Sequence, residues 1–295
     1  MRQPVEDSLP FRWDLVTPDQ LGSLVADNAT PDLWYLDDLV ECTGRVVARS
    51  GDADLIFVGR SLDSMFDLLG GALADLDDHR QVRRLPLSFQ RDWVGSGRRW
   101  RRRPLSVAEQ AQARRILAAV GVTPHALARR HRPVAFVDVV HVGRTFTELY
   151  GLLRTWIDRH HGSWPVIRRK LRFIGVTSQV RTSPNAYRWH QHVSWPRELP
   201  ARAVVNVSLN PSVWSYLGDV QIKLTRSYQP DRWLARADGP DRAERTRRAL
   251  AEAVAIVAHA RGADGRRALA RAMSGEPAMA EPWLRTLVAR LNGLR

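Results

Sequence analysis

Arg132-Pro-Val-Ala-Phe-Val-Asp-Val-Val-His-Val-Gly-Arg-Thr-Phe-Thr-Glu-Leu-Tyr150 is the stretch from which the fold is read. Its apolar run from Val134 to Val137 meets one carboxylate, Asp138, continues through Val139 and Val140, and gives way to a short turn containing Gly143. A run without polar alternation belongs to a strand buried on both faces, as in a parallel sheet. The spacing behind the turn predicts a helix from Phe146 to His160, with Leu149, Leu152, Leu153, Trp156 and Ile157 inward. Such a strand, turn and helix present backbone N–H groups and a helix N-terminus above the sheet, which suits a phosphate. Asp138, at the carboxyl end of the strand, is placed to meet a sugar hydroxyl or a metal beside that phosphate.

The same pattern occurs upstream. Asp54 to Ser61 reads Asp-Leu-Ile-Phe-Val-Gly-Arg-Ser and is followed by the helical spacing Met65, Phe66, Leu68, Leu69. The turn Gly59-Arg60-Ser61 adds a guanidinium able to pair bidentately with phosphate oxygens; a plain βα loop with an exposed arginine is the alternative. Val82 to Phe89, Leu171 to Thr177 and Ala203 to Ser208 read as further strands, and Ser106 with Glu109 forms a capping box opening a helix that runs to Gly121. Between them lies Gln90 to Pro104, with Trp93, Gly95-Ser96-Gly97, and Arg98, Arg99, Arg101, Arg102 and Arg103 around Trp100. Glycine hinges, arginines for an anion and a tryptophan suit a lid, and a solvated arginine run is the other reading. The alternation of strands and helices predicts an α/β fold with a doubly wound, mainly parallel sheet.

Toward the termini the patterns change. Thr17-Pro18 opens a first helix, and a second is expected from Asp32 to Arg49 on Leu33, Leu36, Leu39 and Val40. Residues 180–233 gather Tyr187, Trp189, His190, His192, Trp195, Trp214, Tyr216, Tyr228 and Trp233 among prolines and asparagines, in loops that either wall a flat ring or pack. From Asp241 onward Ala, Arg, Leu and Glu dominate, with a stripe of Leu250, Val254, Val257 and Ala258. The expected organisation is therefore N-terminal helices over 1–50 packing on the core, an α/β domain with an aromatic hood over 51–235, and a helical C-terminal appendage over 236–295.

With 295 residues, 44% hydrophobic and 26% charged, the chain is long enough for one large α/β domain and an appendage. The net charge of +14 ordinarily suggests nucleic acid. Here the only lysines are Lys170 and Lys223, and the arginines are dispersed, so nucleic acid is the less favoured partner. Cys42 is the single cysteine, which excludes an intramolecular disulfide and a cysteine-based zinc cluster. No apolar run approaches the roughly 20 residues of a membrane span, and the acidic start lacks a signal-peptide pattern, so a cytoplasmic location and no membrane partner are expected. His190 and His192 alternate on an extended segment without an acidic partner at a ligand spacing, and no Gly-x-Ser-x-Gly is present.

Phe136-Val-Asp-Val-Val-His-Val-Gly-Arg-Thr145 resembles the phosphoribosyl-diphosphate (PRPP) signature of type I phosphoribosyltransferases: apolar residues, two acids, apolar and small residues, then Thr/Ser-Gly-x-Thr. Asp138 matches the second acid, and Gly143 and Thr145 match the 5-phosphate loop. Val137 stands in place of the first acid and Val142 in place of a hydroxyl residue. Residues 54–63 look like the family's first strand and pyrophosphate loop, and 90–104 fall where it keeps its catalytic lid. The resemblance implies a phosphoribosyltransferase-like fold and attack of a nitrogen nucleophile, such as a base, on C1 of PRPP with loss of diphosphate, or the phosphorolytic reverse on a nucleotide.

It further implies Mg²⁺ as cofactor, met by Asp138 through the ribose hydroxyls, and catalytic roles for Asp138 and for Arg98 and Arg99 in the closed lid. Gly59, Arg60 and Ser61 would hold the pyrophosphate, and Gly143, Arg144 and Thr145 the 5-phosphate. His141 is an extra polar group above the site or a bystander, and family habit suggests a homodimer. The alternative is a catalytically inactive, PRPP- or nucleotide-sensing regulator that binds nucleic acid through its basic surface.

Overall fold

A computed structural model describes residues 9–25, 30–96, 101–179, 188–235 and 239–293. In chain order the strands are β1 (Asp54–Val58), β2 (Val82–Leu85), a short antiparallel pair β3 (Trp93–Val94) and β4 (Arg101–Arg102), then β5 (Val134–Val139), β6 (Leu171–Ser178) and β7 (Val204–Leu209). Five of them form one parallel sheet in the order β2-β1-β5-β6-β7. The α/β architecture expected from the sequence is present.

The helices are α1 (Leu36–Arg49), α2 (Asp63–Leu73), α3 (Val107–Ala119), α4 (Pro124–Arg129), α5 (Arg144–Arg159), α6 (Trp164–Ile167), α7 (Pro211–Ser215), α8 (Glu244–Arg261), α9 (Ala263–Ser274) and α10 (Pro282–Leu291). They cover both faces of the sheet, and the pleat divides each strand between them. Leu55, Phe57, Ala135, Val137, Ile174 and Val207 face α1, α2 and the C-terminal helices, whereas Ile56, Val58, Val134, Phe136 and Phe173 face α3, α4 and α5. Burial on both sides is why β1 and β5 read as unbroken apolar runs.

The C-terminal helices, expected as an appendage, complete the first layer. α8 lies along α2 and α9 along α1, and Ile256, Ala260, Leu269, Met273 and Leu284 share one core with the sheet. Contact is close enough to need glycine: a Cβ on Gly71 of α2 would stand 2.4 Å from the Val257 carbonyl oxygen. Gly71→Ala is therefore expected to force α2 and α8 apart and to lower stability by about 1–3 kcal/mol, outweighing the gain in helix propensity. A urea midpoint equal to wild type would contradict that packing.

Boundaries moved for local reasons. β1 stops at Val58 because Gly59 turns the chain with φ 71°. The second helix begins at Leu36, not Asp32. The segment after Gln90, read as a loop, contains the β3–β4 pair. The capping box at Ser106 is present, with the Glu109 N–H donating to Ser106 Oγ at 3.1 Å and the Ser106 N–H to Glu109 Oε2 at 2.7 Å.

Trp189, Trp195 and Trp233 are buried in the second layer, where Tyr150 stacks on Trp195 at 4.7 Å and Phe146 meets Trp189 at 5.6 Å. These tryptophans pack; Tyr187 lies outside the described residues. Among the described residues no helix is long and apolar enough to cross a membrane.

Candidate functional site

β1 sits between β2 and β5, so the strand order reverses between β1 and β5 and their connections leave toward opposite faces. A crevice opens above their carboxyl ends, the place where doubly wound sheets bind ligands. Two local structures meet there. After β1, Gly59 donates its N–H to the Leu85 carbonyl at 2.9 Å, and α2 starts at Asp63. After β5, Gly143 turns with φ 77° into α5. Neither helix has a side chain capping its N-terminus; in α2 the Asp63 and Met65 N–H groups donate to the Arg60 and Leu62 carbonyls, which leaves the start of α5 as the better place for an anion.

The crevice holds a cavity of about 180 Å³. It brings together five of the residues expected from the sequence: Gly59, Arg60 and Ser61 from the first turn, and Asp138 and Thr145 from the second. Arg84, Ser88 and Gln90 close it from the end of β2, and Thr225 to Tyr228 cross over as a roof. Sequence reasoning missed these two walls. The available signals were the Arg83-Arg84 pair at the end of β2, and Lys223, one of two lysines in a chain that otherwise uses arginine.

Asp138 is 7% exposed. Burial pushes its carboxyl up to about 8, opposed by hydrogen bonds from the Val139 backbone and the Thr145 hydroxyl. Burial is the largest cause and no neighbouring charge is among them; a raised carboxyl in a cleft is a mark of a candidate functional group.

The cationic wall is braced. Arg84 pairs with Asp63 through Nε–Oδ1 at 2.8 Å and Nη2–Oδ2 at 3.1 Å. Arg60 Nη1 donates to the Thr225 carbonyl at 2.8 Å, and Lys223 Nζ donates to the Ser61 carbonyl at 3.0 Å. The roof is fixed by the Ser88 N–H donating to the Tyr228 carbonyl at 2.9 Å.

Other expected residues stand elsewhere. Gly143 does not line the cavity: the Trp189 ring covers it so closely that an added Cβ would lie 2.1 Å from Trp189 Cε3. Arg144 is exposed, and its guanidinium lies 5.5 Å from the Trp93 ring centre, which Arg102 also approaches at 5.3 Å. With the Arg91–Glu148 ion pair at 2.7 Å, this docks the β3–β4 hairpin on the first turns of α5. Arg98 and Arg99 lie outside the described residues. His141 is exposed, 6.2 Å from the Trp214 ring. His190 is occupied structurally, with Asn206 Nδ2 3.0 Å from its Nδ1.

The expected Mg²⁺ is one met by Asp138 through the ribose hydroxyls of PRPP, not one held by a protein-built cluster. Among the described residues Asp138 is the one carboxylate lining the cavity, and no three His, Cys, Asp or Glu side chains come together. Mg²⁺ demands near-octahedral oxygen coordination and is commonly held by one or two carboxylates with substrate oxygens and waters, so an ion beside Asp138 would take its other ligands from PRPP and water. No protein-family model, curated protein or solved structure matches the chain, and the site is defined by its own geometry.

Proposed function

We propose that the crevice binds PRPP and that the protein transfers its phosphoribosyl group to a nitrogen acceptor such as a base, or catalyses the phosphorolytic reverse. The observation that carries this reading is the meeting, at the strand switch point, of the Gly59-Arg60-Ser61 turn with Asp138 and Thr145. A phosphate is suited to the uncapped start of α5 beside the Thr145 hydroxyl. The ribose hydroxyls then fall to Asp138, and the diphosphate to Arg60, Arg84 and Arg226.

In the forward direction the C1–O bond breaks with its electron pair leaving on diphosphate, the acceptor nitrogen's lone pair forms the new bond to C1, and the acceptor's N–H proton passes to the diphosphate or to solvent. Positive charge develops on the ribose between these events. Ionised Asp138 stabilises that cation, and the guanidinium groups stabilise the departing anion, the kind of preorganised electrostatics that lowers such barriers most. Asp138 remains protonated below about 8 in the free protein. That neutral state favours a second reading, a PRPP- or nucleotide-sensing regulator that binds without turnover.

Isothermal titration with PRPP and Mg²⁺, alongside a diphosphate-release assay over a panel of bases, tests the proposal. Binding below about 1 mM is expected, weakened roughly tenfold in Thr145→Val by loss of the hydroxyl. Absence of binding at millimolar PRPP would sink the transferase reading; binding without diphosphate release from any base would favour the sensor.

A further inference from the structure

On the other side of Arg60 lies a larger cavity of about 550 Å³, inside the range of roughly 300–1,000 Å³ that encloses small-molecule ligands. Neither Asp138 nor Thr145 lines it. One wall is aromatic, with Phe11 and Trp13 packed edge to face at 4.9 Å and Tyr228 nearby. The lining also carries Arg60, Lys223, Arg226, Arg232 and Arg245, with Asp241, 3.8 Å from Arg245, the one carboxylate among the described lining residues.

Arg60 and Lys223 donate to the neutral carbonyls of Thr225 and Ser61, and Asp63 acts on both charges without a direct ion pair to either. Burial pulls both groups below their ordinary values, Lys223 to about 8, and a bound anion would relieve that cost. A ring-lined wall opposite several cations is complementary to a ligand that has both a flat ring and more than one negative charge.

We infer that this second cavity is a nucleotide site, taking a nucleoside 5′-phosphate with its base against Trp13 and Phe11 and its phosphate toward Arg226 and Arg245. The inference stands whether or not the crevice takes PRPP. Arg60 and Arg226 line both cavities, so an anion in one is felt in the other through shared guanidinium groups.

The test is isothermal titration of the full chain with AMP and UMP, with benzoate and inorganic phosphate as partial probes. At least one nucleotide is expected to bind with a Kd below about 1 mM. Arg245→Glu and Trp13→Ala each raise that Kd at least about tenfold, and Thr145→Val in the crevice raises it by less than either. The Arg245 side chain is 60% exposed, so Arg245→Glu keeps its fold and reads the site even where Trp13→Ala loses structure.

Three results would overturn the assignment. One is no AMP or UMP binding at about 10 mM. Another is a loss in Thr145→Val equal to that in Arg245→Glu, which would move the nucleotide into the crevice. The last is benzoate or phosphate binding as tightly as AMP, which would show that ring and charge are not read together.

Discussion

Asp138→Asn is expected to melt at a higher temperature than wild type at pH 8 while losing about 10²–10³-fold in phosphoribosyl turnover, the scale set by removing one preorganised electrostatic group. The stability effect follows from the burial of the carboxyl, which holds its proton up to about 8 in the folded chain but loses it near 3.8 in the unfolded one. Between those values the unfolded state binds fewer protons, so folding stability falls as pH rises, by about 1.4 kcal/mol per unit. By pH 8 the cost to wild type is on the order of a few kcal/mol, and an uncharged amide does not incur it.

At pH 4 the two proteins should melt alike, apart from about 1 kcal/mol for hydrogen bonds the amide makes less well. Melting curves across this interval decide the matter: parallel pH dependences in wild type and variant would show that Asp138 ionises normally. Turnover should move oppositely to stability. If the ionised carboxylate faces the ribose cation, log kcat/KM climbs with unit slope toward about 8 and levels above it. A residue that weakens the fold as it becomes active is a common feature of functional sites.

Half of this site was legible because it is local in sequence. Gly59-Arg60-Ser61 and Asp138 to Thr145 are each a strand end, a turn and a helix start, so placing the strands side by side places the residues together. The other half arrives through contacts with no sequence period. The roof at Thr225 to Tyr228 is held by the Ser88–Tyr228 backbone bond and by Lys223 on Ser61, partners far apart in the chain.

The tryptophans show the same limit. Trp189 donates Nε1–H to Asn206 Oδ1 at 2.9 Å and Trp233 to the Tyr228 carbonyl at 3.0 Å, which lets polar-flanked loop residues become interior ones. Periodicity placed Leu250 and Val257 of α8 inward correctly but included the exposed Ala258 and missed Ile256, and it did not supply the partner, because an amphipathic pattern reports that a face is covered without reporting by what.

Gly143→Ala carries the second large effect, and it tests why a glycine stands where the phosphate-loop resemblance has one. At φ 77° an L-residue costs about 1–2 kcal/mol. The new Cβ would also lie 2.1 Å from Trp189 Cε3, and that ring cannot easily yield: it is 1% exposed, bonded to Asn206, and packed on Phe146 and Trp195. Overpacking of this kind adds about 1–3 kcal/mol, for a total on the order of 3 kcal/mol. Urea unfolding measures it.

A second substitution separates the two causes. In a Trp189→Leu background the steric part disappears and only the backbone part remains, so the two changes should be non-additive by at least about 1 kcal/mol. Strict additivity would mean that Trp189 does not constrain Gly143. If the coupling appears, the glycine is kept by the tryptophan stacked beneath the loop as much as by any phosphate above it. Displacing that ring would then shift Thr145 and weaken ligand binding in the crevice without touching a ligand-facing atom.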